Sequence, residues 1–175
     1  VKELASEEIQ SVVCAFDMGR NSLLTKEERK ERLEQEVDCF IACPFTKEIR
    51  EMEAEQFILQ VLAEKFHAAV VVVGEDFQFG HEKRGDVVML EKYAAQCGYQ
   101  LEVIKKEMYE GREISSTYVR EALAEGNVTL ANNLLGYLYG TEGVVEHGHQ
   151  LGRTLGFPTM NIAWDEHKIA PKFGV

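Results

Sequence analysis

Short apolar runs alternate with longer stretches of helical spacing through the first three quarters of this chain. Ser11–Phe16 (S-V-V-C-A-F) is β-branched and apolar and predicts a strand that stops at Asp17. Thr25–Glu36 is a charged helical run, with Thr25 as N-cap and Glu28 at the capping-box position. Asp38–Cys43 predicts a second buried strand, stopped by Pro44. Ala54–Phe66 places Phe57, Ile58, Val61, Leu62 and Phe66 on one helical face. Ala69–Val73 (A-V-V-V-V) is the clearest strand, Asp86–Cys97 is helical and Gln100–Ile104 is strand-like. Ser116–Glu125 and Val128–Leu135 predict two short helices parted by Gly126-Asn127.

Strands that are continuous apolar runs, alternating with helices, predict an α/β domain with a parallel sheet covered on both faces. Ligands of such sheets sit outside the carboxyl ends of the strands. Three segments follow those ends: Pro44-Phe45-Thr46, Gly74–Gly85, and Lys105 to Arg120. After Gly136 the texture changes. Tyr137–Ile162 is rich in Gly, His and Thr, has no helical period, and predicts short strands with glycine turns. A domain boundary near Gly136 follows, giving parts 1–136 and 137–175. The second is about 40 residues, near the size below which a domain rarely folds alone, and it reads as truncated.

Composition narrows the partners. Lys+Arg 19 against Asp+Glu 30 leaves a formal charge of −11. Such a chain repels phosphate backbones, and no basic patch offsets the repulsion, so nucleic acid is not an expected partner. Nucleotides remain possible through backbone amides and a few placed cations. No apolar run reaches the roughly 20 residues that span a bilayer. The opening V-K-E-L-A-S-E-E-I-Q reads as an acidic helix and not as a signal peptide. A cytoplasmic location, with no membrane and no obligate protein partner, is expected. Cys14, Cys39, Cys43 and Cys97 lack CxxC spacing and read as reduced packing thiols, not metal ligands.

Three motifs carry candidate chemistry. Gly74-Glu75-Asp76-Phe77-Gln78-Phe79-Gly80 leaves the strand with a glycine at each end and two phenylalanines on one side. It suits a ligand whose ribose or ring donor Asp76 accepts, and equally a tight turn with two core aromatics. Ile114-Ser115-Ser116-Thr117-Tyr118-Val119-Arg120 sets three hydroxyls at a helix start with an arginine one turn on. It suits phosphate, and equally an ordinary cap with a surface arginine. The third runs from Gly143 to Asn161. Gly148, Gly152 and Gly156 recur every four residues around Arg153, followed by Phe157-Pro158-Thr159-Met160-Asn161. Thr159 and Asn161 face the same way on a strand, and two neutral oxygens suit a Mg²⁺ that takes its charge from nucleotide phosphates. A glycine-rich hairpin is the alternative. His147 and His149 read as turn residues, and Tyr118 and Tyr137 as packing residues.

Taken together, G-E-D-F-Q-F-G, I-S-S-T-Y-V-R and V-V-E-H-G-H-Q-L-G-R-T-L-G-F-P-T-M-N-I resemble the bacterial bifunctional riboflavin kinase/FMN adenylyltransferase (FAD synthetase) family. L-L-T near Leu23, P-F-T at Pro44 and E-A-L-A-E-G-N-V extend the resemblance in the same order. It implies a Rossmann-like nucleotidyltransferase domain followed by part of a riboflavin-kinase β-barrel. It implies two ATP-dependent reactions, riboflavin to FMN and FMN to FAD with release of pyrophosphate. Ser116, Thr117 and Arg120 would hold ATP phosphates during adenylyl transfer. Phe45, Gly74, Asp76, Phe77, Phe79, Gly80 and Ser115 would line the nucleotide and flavin pocket. In the kinase part, Gly148, Gly152, Arg153, Gly156, Phe157 and Pro158 would form the ATP loop, with Thr159 and Asn161 on Mg²⁺.

The chain departs from that family in places. No His-x-Gly-His occurs, and the strand and helix that carry it are expected to be absent, so the chain reads as a fragment. Met18-Gly19-Arg20 runs almost directly to Leu23-Leu24-Thr25 where the family has a longer loop. Met160 replaces an alanine. Adenylyltransferase activity alone, or a catalytically silent flavin or nucleotide binder, are the alternatives these departures leave open.

Overall fold

The computed structural model describes residues 9–17, 21–148 and 151–174. Most of the expected N-terminal helix, the Met18-Gly19-Arg20 junction and His149 lie outside them. The chain divides into two compact units, Val1–Met18 with Lys26–Glu107 and Gly19–Thr25 with Met108–Val175.

The first unit is built from β1 (Val12–Asp17), α1 (Lys26–Glu34), β2 (Cys39–Pro44), α2 (Lys47–Glu51), α3 (Ala54–Gln56) with a π-helical continuation (Phe57–Lys65), β3 (Val70–Gly74), α4 (Val87–Cys97) and β4 (Gln100–Ile104). β1 pairs with β2 and β3 with β4, both parallel. The expected parallel pairing is therefore present, but as two small sheets and not as one. Side chains connect them: the Phe16 ring on β1 lies 6.4 Å from Phe57 on the π-helical segment. The strands are also less buried than continuous apolar runs predict. Val71 is buried, whereas Val13 to Phe16 are half-buried.

Local chemistry sets the ends. Ser11 ties the start of β1 to β2, its Oγ donating to Asp38 Oδ2 at 2.7 Å and accepting from the Asp38 amide at 3.0 Å. Asp86 caps α4 through the Met89 amide, and Gly98 closes the helix in the left-handed region. The core gathers Ala54, Ile58, Val71, Phe79, Leu90 and Tyr99. Phe66, expected on the buried helical face, is 37% exposed. The i→i+5 bonds here, such as Phe66 N–H to Val61 C=O, change the spacing that the 3.6-residue period assumes. The cysteines are free and half-buried. Cys14 and Cys43 lie side by side, Sγ to Sγ 2.9 Å, and burial first, then Cys43, pushes the Cys14 thiol up to about 12.

The second unit holds the hairpin β5 (Met108–Tyr109) and β6 (Arg112–Glu113), α5 (Ser116–Glu125), α6 (Val128–Leu135), β7 (Val145–Glu146), α7 (Leu151–Thr154) and β8 (Asn161–Ile162). Both predicted helices have the expected bounds, because Ser115 and Asn127 cap their starts and Gly126 and Gly136 their ends. Val119, Ala122, Leu123, Ala131, Leu134 and Tyr139 form its core, with Trp164, Ile169 and Leu23 packed against it. Lys168 is buried at 5%. Its Nζ donates to Gly140 C=O at 2.5 Å and lies over the Tyr139 and Trp164 rings. Past Gly136 the expectation of strands and turns without a helix needs one correction. Leu151–Thr154 makes a helical turn, which Gly156 (φ +85°) closes so that the Phe157 amide reaches Gly152 C=O at 2.8 Å.

Candidate functional site

In the first unit the chemistry gathers where β3 and β4 end. Gly74 and Ile104 are register partners, so the segments that follow leave from one edge. The Glu75 amide donates to Ile104 C=O at 3.1 Å, and the Lys106 amide to Glu75 Oε1 at 3.3 Å. Lys106 Nζ then meets Asp76 Oδ2 at 2.7 Å. That hydrogen bond holds the Asp76 carboxyl below the usual carboxylate range, so it is an ionised acceptor at neutral pH. The aromatic residues form a run: Phe45 edge-on to Phe16 at 6.2 Å, Phe57 to Phe79 at 5.4 Å, and Phe77 stacked on Phe79 at 5.5 Å.

The same segment separates surface from core. Phe79 is buried, while Phe77 and Phe45 keep open surface. Gly80 has φ +74° and ψ 177°, and a Cβ there would stand 2.6 Å from Ala54 Cα. The approach that Gly80 permits is to the chain's own helix. A Cβ on Gly74 would meet only Asp76 Oδ1, at 3.4 Å. Lys106 was missed in the sequence; its signal is that it is the second residue beyond a strand whose end is level with Gly74.

In the second unit, Ser115 Oγ accepts from the Tyr118 amide at 3.2 Å and so serves as the helix cap. Ser116 and Thr117 are exposed in the first turn of α5, where amides lack intrahelical partners and the helix dipole is positive. Arg120 donates from Nη1 to Ser116 Oγ at 3.1 Å and from Nε to Asn21 C=O at 3.2 Å. Arg112 lies 3.9 Å over the Tyr118 ring and pairs with Glu121 at 2.6 Å. Amides, hydroxyls and a guanidinium held by two bonds are the kinds of group that can bind an anion.

The glycine-rich segment is also brought together. β7 and β8 pair antiparallel with Glu146 opposite Asn161. A Cβ on Gly148 would collide with the Asn161 amide group, and one on Gly152 with Phe157 C=O, with Thr159 Cγ2 at 3.3 Å. Gly148 and Gly152 thus lie against the Thr159–Asn161 pair, while Gly156 serves the helix end. Arg153, Phe157, Pro158, Thr159 and Asn161 are exposed. Among the described residues no group of three or more His, Cys, Asp or Glu could hold a metal ion. The donors here are neutral oxygens, which fit a Mg²⁺ whose charge is balanced by phosphates.

Comparison with known proteins bears on both halves. Residues 6–118 match the FAD synthetase family and residues 135–175 the riboflavin kinase family. A bifunctional riboflavin kinase/FMN adenylyltransferase of Listeria monocytogenes is 33% identical over 187 residues, covering 99% of this chain and 59% of that protein. The enzymes of that name from Haemophilus influenzae and Escherichia coli K12 are 38% and 36% identical, over 84% and 79% of this chain and 49% and 44% of theirs. The chain spans about half the length of the curated relatives it matches. A crystal structure described as a macrolide-efflux protein from Streptococcus pneumoniae superposes with a TM-score of 0.79 at 27% identity, over 91% of this chain and 55% of that one. Among the described residues no helix is long and apolar enough to cross a membrane.

Proposed function

The chain belongs to the FAD synthetase family, and from that membership we propose that it acts in flavin nucleotide synthesis in the cytoplasm. Its 1–136 part, of Rossmann-like nucleotidyltransferase fold, transfers an adenylyl group from ATP to FMN, giving FAD and pyrophosphate. Its 137–175 part belongs to a riboflavin-kinase barrel that makes FMN from riboflavin and ATP. The observation that carries the proposal is the order of two family matches in one chain, 6–118 and then 135–175.

In adenylyl transfer a phosphate oxygen of FMN forms a bond to the α-phosphorus of ATP as the bond to the departing pyrophosphate breaks. Ser116, Thr117, the first amides of α5 and Arg120 hold phosphate oxygens and take up the charge that develops on them. Asp76, kept ionised by Lys106, accepts a ring or ribose donor, and Phe45 and Phe77 offer ring faces to a flavin or adenine. In the kinase part Gly148 and Gly152 keep the backbone close to Thr159 and Asn161, the residues that would hold Mg²⁺. That ion supplies charge neutralisation on the ATP phosphates when bound. Flavins and ATP are the partners this reading requires.

The test supplies ATP and Mg²⁺ with riboflavin in one tube and FMN in another, and separates the products by chromatography. Arg120→Ala should cut FAD formation about a hundredfold and spare FMN formation, and Asn161→Ala the reverse. Equal loss of both activities in either variant refutes the two-site assignment. Binding of flavin or ATP without any product favours a silent binder.

A further inference from the structure

We propose that Asn21 is a positioning residue for Arg120, and that the segment around His167–Ile169 holds it in place. The inference rests on the reading of Arg120 as a phosphate ligand.

A guanidinium has five N–H groups, and its use depends on which of them the protein occupies. Here Nε is taken by Asn21 C=O and one Nη1 hydrogen by Ser116 Oγ. Among the described residues these two bonds leave the Nη1/Nη2 end of the fork for oxygens of a ligand. They also fix the plane of the group, which a single bond would let swing.

The carbonyl that does this sits in an unusual place. Asn21 has φ +63°, the left-handed region that Asn tolerates and β-branched residues resist. It is far from Arg120 in sequence, and a later stretch of the same unit holds its segment. The Ser22 amide donates to His167 C=O at 2.8 Å, and the Ile169 amide donates to Ser22 C=O at 2.9 Å, a parallel bridge between Ser22 and Lys168. The latter segment is itself anchored on α5, the Lys172 amide donating to Leu123 C=O at 2.9 Å. A stretch matching the riboflavin kinase family therefore supports Asn21, in the stretch matching the FAD synthetase family, whose carbonyl orients Arg120 two residues past the end of that match. Geometry at one candidate site is set partly by residues of the other half.

The test compares Asn21→Val with Asn21→Gly in the whole chain, since the backbone carbonyl, not the side chain, makes the bond. Valine resists the left-handed conformation and glycine accepts it. The readouts are ATP affinity by calorimetry, the exchange rate of the Arg120 Nε–H proton by ¹⁵N NMR, and a melt to establish folding. Asn21→Val should speed Nε–H exchange and weaken ATP binding about tenfold, the loss of one hydrogen bond to a charged group. Asn21→Gly should keep both near the parent, which a merely structural effect of losing the Asn side chain would not. Unchanged exchange in a folded Asn21→Val overturns the proposal, as does equal loss in the glycine variant. If Arg120→Ala leaves ATP affinity untouched, the phosphate reading fails, while the valine–glycine contrast in exchange still supports the positioning by Asn21.

Discussion

Gly80 separates two uses of a glycine that look identical in sequence, close approach to a ligand and close approach to the protein itself. Replacing it with alanine tests which applies. Its backbone, φ +74° and ψ 177°, lies in a region that is essentially glycine-only, so any side chain costs about 1–3 kcal/mol. The added Cβ would also stand 2.6 Å from Ala54 Cα and 2.7 Å from its N and Cβ. Ala54 cannot retreat cheaply. It is 3% exposed, and the neighbouring chain is fixed by the bond from the His81 amide to Met52 C=O at 2.8 Å. Overpacking of this kind costs about 1–3 kcal/mol. Together the two predict a loss of about 2–6 kcal/mol, a large share of the stability of an ordinary domain. Gly74→Ala is the internal control, since its Cβ meets only Asp76 Oδ1 at 3.4 Å, and it should cost less than about 1 kcal/mol. Urea unfolding followed by circular dichroism measures both. A Gly80→Ala protein as stable as its parent but weaker in binding ATP or FMN would refute the packing argument and make Gly80 a ligand glycine.

Other outcomes follow from the same geometry. Leu123 is fully buried in the core of the second unit, and Leu123→Ala should destabilise it by about 2–5 kcal/mol, read as a shift in urea midpoint at unchanged slope. Burial pushes the Tyr99 phenol up to about 12, and its hydroxyl donates to Leu90 C=O at 2.5 Å. The folded protein then keeps a proton that the unfolded chain releases from about pH 10, so stability should fall from there through pH 12. Tyr99→Phe should flatten that window, and an unchanged alkaline slope would refute the assignment. Ser115→Ala removes a helix cap and should cost about 1 kcal/mol of stability. Ser116→Ala should leave the melt nearly unchanged and speed Arg120 proton exchange instead.

Much of the fold was legible because the chain states its ends in local chemistry. Ser115, Gly126, Asn127 and Gly136 bound α5 and α6 at the expected residues, since a cap satisfies amides or carbonyls within a few positions of itself. The bounds of β1, β2 and β3 slipped by a residue, because an apolar run does not say where its ladder starts, whereas β4 runs over Gln100–Ile104 as expected. The hairpin of β5 and β6 was missed although Glu110-Gly111 signals it. Both residues have positive φ, 49° and 82°, as a tight two-residue turn requires. The π-helical segment had no signal: Phe57–Lys65 holds neither glycine nor proline, and nothing local separates i→i+5 bonding from i→i+4.

The candidate site was legible as residue types and illegible as a division of labour. Ser115, Ser116 and Thr117 are interchangeable in sequence. In the fold Ser115 faces the Tyr118 amide and Ser116 the Arg120 guanidinium, while Thr117 is exposed in the first turn. The three glycines spaced by four divide in the same way. Gly148 and Gly152 admit Asn161 and Thr159, whereas Gly156 supplies a left-handed helix end. What decides between such uses is a partner far away in sequence: Asn21 for Arg120, Ala54 for Gly80, Lys106 for Asp76. Periodicity and composition report only neighbours along the chain. A motif therefore marks which groups are available to a phosphate or a flavin, and long-range contacts determine which of them the protein has already engaged.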